Sequence, residues 1–142
     1  MAPTHVLVPL DGSPLSDDAL VHALETFDCP VTVLNVVTPL DRPMSEGGVL
    51  GADDEREATA RERADALVER ARDRAAETGR SVDTAVETGD PADAILAYVE
   101  ASDIDHVVMG GHGDDPGLAE RLLGTVATTV VSEAPVTVTV VR

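Results

Sequence analysis

Lysine is absent from the 142-residue chain, and cysteine occurs once, as Cys29. Without lysine, a phosphate loop of the Gly-Lys-Ser/Thr kind has no side chain to reach a terminal phosphate, and a phosphorelay receiver lacks the lysine beside its acceptor aspartate. Neither chemistry operates in its usual form here. A lone thiol makes no internal disulfide, and with no Cys-x-x-Cys spacing or His pair it offers no zinc site; a reducing compartment fits. Positive charge is scarce throughout: ten basic residues, all arginine, face 27 acidic ones, for a formal net charge of -17. Nucleic acid is not expected as a partner, because binding a phosphate backbone needs clustered cations that release counterions. An acidic, lysine-free surface stays soluble where the Debye length falls to about 3 Å at roughly 1 M salt, so a salt-rich cytoplasm is the expected source. No apolar run approaches the roughly 18 residues of a membrane span, and no cationic stretch precedes the first apolar segment. No membrane partner and a cytoplasmic location are therefore expected.

What is present is enough for a core. Hydrophobic residues make up 43% and charged residues 26% of the chain, which is globular rather than disordered composition. A chain of this length buries roughly 70% of its unfolded surface, so residues 1–142 are expected to form one domain.

Apolar runs alternate with helical periodicity along the chain. His5 to Leu10 is almost entirely apolar, as in a strand buried on both faces, and Asp11-Gly12-Ser13-Pro14 ends it as a turn. Ser16 with Asp17 and Asp18 marks a helix start, after which Leu20, Ala23, Leu24 and Phe27 recur on one face. Val31 to Val37 predicts a second strand, interrupted by Asn35, and the stretch from Thr38 to about Asp53 reads as a long connection. From about Asp54 to Thr78, Ala60, Ala64, Leu67, Val68, Ala71 and Ala75 line one helical face, with Gly79 at the C′ position. Ser81 to Glu87 is a polar-interleaved strand suited to a sheet edge. Asp90 and Pro91 then supply the N-cap and first position of a helix burying Ala92, Ile95, Leu96 and Val99. Asp105 to Met109 is a fourth strand, Gly110 to Gly117 a loop, Leu118 to Glu133 largely helical, and Val136 to Val141 a fifth strand. This alternation predicts an α/β fold: a doubly wound, open five-stranded parallel sheet of order 3-2-1-4-5 with helices on both faces. The ligand crevice of such a sheet lies where strand order reverses, between the carboxyl ends of strands one and four.

Two loops meet there, Asp11-Gly12-Ser13 and Gly110-Gly111-His112-Gly113. The glycines, with Gly124-Thr125 opening a later helical stretch, offer what anion capture needs: backbone N–H groups without Cβ atoms, and a helix N-terminus. His112 stands among them as a polar loop residue, and no catalytic base is assigned. His5, His22 and His106 fall in separate elements and make no metal-ligand set.

The run Val6-Leu7-Val8-Pro9-Leu10-Asp11-Gly12-Ser13 resembles the opening strand and turn of universal stress proteins. Met109-Gly110-Gly111-His112-Gly113 through Gly124-Thr125-Val126 resembles that family's Gly-x-x-Gly, nine residues, then Gly-Ser/Thr signature, and Ala134 to Arg142 is similar to its closing strand. The resemblance implies an ATP site, or one for another adenine nucleotide, with Asp11 near the ribose or a Mg2+ ion. It places Val36 and Met109 beside adenine, and Gly110, Gly113, Gly124 and Thr125 at ribose and phosphates. Pro9, Leu10 and Val126 complete the implied site. One departure is visible: ten residues, Asp114 to Leu123, separate Gly113 from Gly124 where the family pattern has nine. Asp115-Pro116-Gly117 has the composition of a turn that absorbs the extra residue. Asp114 and Asp115 would repel a triphosphate unless a cation intervenes, and Mg2+ bridging Asp11, Asp114 and phosphate oxygens is one arrangement.

Two functions follow from this reading. The first is a nucleotide-binding stress-response or regulatory protein with at most slow hydrolysis. The alternative is a dimeric interaction module of the same fold that binds no nucleotide. In either, the valine-rich closing strand would be an exposed apolar edge unless paired, so a homodimer through it is expected.

Overall fold

The computed structural model describes residues 2–38, 50–112 and 123–142, with the backbone alone for 50–57. The apolar runs become β1 (Val6–Pro9), β2 (Val31–Val37), β3 (Asp83–Thr88), β4 (His106–Gly110) and β5 (Thr137–Val141). Between them run α1 (Pro14–Thr26), α2 (Leu50–Glu77), α3 (Pro91–Ala101) and α4 (Thr125–Glu133). The strands form one sheet of order β3-β2-β1-β4-β5, every neighbouring pair parallel, as the alternation predicts. The polar-interleaved β3 is indeed an edge, and β5 is the other.

Side-chain alternation explains why β1 tolerates no polar residue. Val6 and Val8 point to the face covered by α1 and α2, where they pack with Leu20, Leu24, Val68 and Ala71. Leu7 points to the opposite face and joins Ile95, Val99 and Val130 of α3 and α4. All three strand residues are fully buried, and burying each such side chain stabilises the fold by about 1.5–3 kcal/mol. On α2, Ala71 and Ala75 keep the helix close to the sheet.

Several helix ends differ from expectation for identifiable reasons. α1 begins at Pro14, two residues before the predicted Ser16, because Ser13 is the N-cap and proline suits the first position. The Ser13 hydroxyl oxygen accepts the Ser16 N–H at 3.3 Å, and the buried Ser16 hydroxyl donates back to the Ser13 carbonyl at 2.9 Å. α2 extends to Leu50, so residues 50–53 of the predicted connection are helical, and residues 39–49 lie outside the described residues. α4 starts at Thr125 with Gly124 as N-cap, as expected of a helical stretch that Gly124-Thr125 opens; Leu123, within the broader expected span Leu118 to Glu133, is not helical, and residues 118–122 lie outside the described residues. The Asp90 cap is as expected, its carboxylate accepting the Asp93 N–H at 3.1 Å. Gly79 closes α2 as expected, its N–H and that of Arg80 reaching the Ala76 and Ala75 carbonyls at 3.0 Å each.

The amino ends of the strands carry a polar layer remote from the crevice. Asp105 accepts the Thr4 N–H and hydroxyl, both at 2.8 Å, and the His5 N–H at 3.1 Å. These bonds, the Thr4 backbone first, hold its carboxyl below the usual range. His106 lies 2.8 Å from the Thr139 hydroxyl and stacks obliquely on Phe27, with ring centroids 4.8 Å apart. Burial, the largest influence, lowers its pKa; the Asp105 charge opposes this and His22 adds to it.

Two predictions follow. The unfolded chain protonates His106 near the ordinary value of 6.5, before the folded chain does, so the stability held by the neutral ring is present above that pH. Melting temperature should therefore fall as pH drops from about 6.5 towards 5, and H106Q should flatten that part of the profile. Secondly, a Cβ on Gly110 would lie 2.9 Å from Leu15 Cβ and 3.1 Å from its carbonyl carbon. G110A should cost about 1–3 kcal/mol, read by denaturant unfolding of the ligand-free protein.

Candidate functional site

The crevice forms because β1 ends before its neighbours do. Its last residue, Pro9, pairs with Leu34, yet β2 continues to Val37. On the other side, only Val6 and Leu7 pair with β4, which continues to Gly110. The chain then turns away at Asp11-Gly12-Ser13. Gly12 takes φ +86°, which side chains resist, and the Asp11 Oδ1 accepts the Ser13 N–H at 2.9 Å to brace the turn.

The early end of β1 leaves a stretch of β2 backbone open. Leu10 donates its N–H to the Leu34 carbonyl at 2.8 Å, and Gly89 donates to the Val37 carbonyl at 3.0 Å from the β3 side. Backbone polar groups alternate between the two edges of a strand, so the N–H and C=O of Val36 lie on the β1 edge. The Leu10 carbonyl that a longer ladder would offer there is taken instead by the Asn35 side-chain amide, at 2.7 Å. One donor and one acceptor, side by side, therefore face the crevice from Val36.

Opposite lies the start of α4. The Gly124 N–H donates to the Gly111 carbonyl at 2.7 Å, and the Gly111 N–H donates to the Val141 carbonyl at 2.8 Å. These bonds hold the end of β4 against the entry to α4. A Cβ on Gly124 would stand 3.3 Å from His112 Cα. Unlike α1 and α3, α4 has no side-chain cap and no acidic residue in its first turn. Its leading N–H groups are thus left for an anion, with the positive end of the helix dipole behind them.

A cavity of about 640 Å3 joins these features. Nine of the residues implicated by sequence line it together: Pro9, Leu10, Asp11, Val36, Met109, Gly110, Gly124, Thr125 and Val126. Gly113, Asp114 and Asp115 lie outside the described residues. Met109 is only 5% exposed and belongs, with the partly buried Val36, to the core on the α3–α4 face, so each presents one side of a packed residue to the cavity. Thr125 occupies the first helical position, because Gly124 takes the cap. His112 also lines the cavity.

Sequence reasoning missed the contribution of α2, which adds Ala60, Arg63, Ala64 and Leu67 to the wall. These four share a helical face, and the usable signal was an arginine placed on an otherwise apolar stripe. Asn35, read from sequence only as a strand interruption, was missed as the group that caps β1. Among the described residues, no set of three or more His, Cys, Asp or Glu side chains is grouped to hold a metal ion. Asp11 is the carboxylate on the described part of the lining, so a cation there would draw most of its ligands from a phosphate and water.

Comparison with known proteins agrees with this architecture. The model of the universal stress protein family matches residues 3–142. A universal stress protein of Methanocaldococcus jannaschii is 30% identical over 142 residues, covering 96% of this chain and 81% of the relative. Among solved structures, universal stress protein UspA from Lactobacillus plantarum superposes with a TM-score of 0.81 at 24% identity, covering 100% of this chain and 99% of that one. A family protein from Arabidopsis thaliana solved with AMP bound gives 0.70 at 22% identity, covering 98% and 91%. A universal stress protein in complex with cAMP gives 0.70 at 24% identity, covering 100% and 99%. With its sheet order, its paired glycine loops and a family match over nearly the whole length, this chain belongs to the universal stress protein family.

Proposed function

We propose that the chain binds an adenine nucleotide in this cavity and serves as a stress-response regulator, with at most slow hydrolysis. The observation that carries this reading is the pairing of two recognition elements across one cavity of about 640 Å3. The Val36 backbone presents a donor beside an acceptor, which complements the N1 acceptor and the 6-amino donor of adenine. A ring seated there lies against Val36 and Met109. Across the cavity, the uncapped N-terminus of α4 suits a phosphate, with Gly110, Gly124 and Thr125 around ribose and phosphate. Gly113 belongs to the same proposed set. Asp11 commits one carboxylate oxygen to Ser13 and keeps the other for ribose hydroxyls or for Mg2+ carried in by ATP. Solved proteins of this fold with AMP and with cAMP support the ligand class.

The edge strand β5 bears Val138, Val140 and Val141, each only partly buried, and a second copy of the chain is its proposed partner. Light scattering after size exclusion in molar salt should give a dimer mass at micromolar concentration, and a monomer mass defeats this part of the reading.

Calorimetric titration with AMP and with ATP–magnesium in the same salt tests the site. Saturable heat should appear, together with thermal protection worth about 2.7 kcal/mol at a hundredfold excess of ligand over Kd. Absence of both signals for both nucleotides would favour the interaction module that binds none.

A further inference from the structure

We propose that Arg63 is the side chain that grips the nucleotide's phosphate, an inference that rests on the nucleotide reading of the cavity. The α2 stripe Ala60, Arg63, Ala64 and Leu67 faces the cavity, and Arg63 is the one arginine on its described lining. Its height is set by Leu67, whose Cδ2 stands 3.4 Å from where a Cβ on Gly12 would be, so α2 passes the β1–α1 turn at that level. α2 runs back along the sheet from the carboxyl end of β2. Arg63, one turn nearer the start of α2, therefore projects above the turn, on the side beyond the strand ends.

Charge pairing along α2 sets this residue apart. Arg61 has Glu57 and Asp65 four residues away, Arg70 has Asp73 at three, Arg72 has Glu69 at three and Arg74 has Glu77 at three. Two of these arginines are seen engaged: Arg72 with Glu69, and Arg70 with Asp17 across the groove at 3.1 Å. At the same spacings Arg63 has Thr59, Ala60, Ala66 and Leu67, so its own helix offers it no carboxylate. An arginine left without a helical counter-ion and turned to a cavity has an anionic ligand as its fitting partner. A phosphate matches the planar fork in two parallel N–H···O bonds, which neither ribose nor an apolar wall provides. Arg63 thus supplies the cation that lysine-free glycine loops lack, and it makes binding sensitive to the presence of a phosphate.

Titrations of wild type, R63Q and R63K with adenosine and with AMP, at about 0.2 M and at molar salt, decide the matter. Arg63 is exposed, and thermal unfolding of each variant confirms that it folds. R63Q should leave adenosine affinity within about twofold while weakening AMP about tenfold, with partial recovery in R63K. The advantage of AMP over adenosine should shrink with salt in wild type more than in R63Q. Equal losses for adenosine and AMP would mean that Arg63 stacks on the base, and no loss for either would mean that it does not touch the ligand; both overturn the proposal while leaving nucleotide binding intact. Failure of wild type to bind either ligand would instead sink the nucleotide reading itself.

Discussion

The missing N–H of Pro9 is the constraint from which the crevice follows. Along β1, Val6 and Leu10 turn their N–H groups to β2, reaching Pro30 and Leu34 at 3.0 and 2.8 Å. The odd-numbered positions, His5, Leu7 and Pro9, face β4, where Asp105 donates to the His5 carbonyl at 3.1 Å. Position 9 is the next to owe β4 a donor, and proline has none. The β1–β4 ladder stops after Leu7, the strands part, and a gap opens at their carboxyl ends. On the other flank Asn35 caps the Leu10 carbonyl, which satisfies that buried acceptor without lengthening β1. A proline and an asparagine, each unwelcome in a central parallel strand, thus convert a closed sheet into one with a mouth.

That mouth offers backbone polar groups at Val36 and at the start of α4. In a chain with a net charge of -17 the overall field repels an anionic ligand, and lysines placed at the site would be drawn off by nearby carboxylates. Amide dipoles at a helix start cannot be drawn off in this way, since their geometry is set by the helix. The cost is that each amide must be placed by its neighbours, and the bonds from Gly124 to Gly111 and from Gly111 to Val141 do this placing. An arginine fits such a site better than a lysine would, because its charge is fixed and its fork has a defined plane.

Much of this was legible in sequence where a local pattern had one physical solution. The apolar run of β1 demanded burial on two faces, Asp90-Pro91 demanded a helix start, and the strand-helix alternation led to the sheet order. Errors arose where two local solutions competed. Ser13 and Ser16 can both cap, and Pro14 decides for the first because a proline fits the opening turn of a helix and Ser16 can turn its hydroxyl back to Ser13. Leu123 follows a helical-looking pattern, yet the Gly124 N–H is spent on Gly111, so α4 opens at the Gly124-Thr125 step and Leu123 stays outside it. Arg63 was hidden because the apolar stripe of α2 reads as packing on the sheet along its whole length, and the tertiary position of Leu67 beside Gly12 shows that its earlier part turns to the crevice.

The same Gly124–Gly111 bond bears on the one departure from the family pattern. The ten residues from Asp114 to Leu123 are one more than the signature allows, and an extended residue adds about 3.5 Å of chain. If the excess were felt at the crevice, Gly124 would be displaced by more than a hydrogen bond tolerates. Instead Gly124 meets Gly111 at 2.7 Å, and α4 begins directly after it with Thr128 donating to the Gly124 carbonyl at 2.9 Å. The contact is tight as well, since a Cβ on Gly124 would crowd His112 Cα at 3.3 Å. The described ends of this segment, Gly111 with His112 and Gly124, are thus held together by a backbone bond and a steric fit. Those contacts, made by the backbone itself, fix where the first amides of α4 stand relative to the end of β4.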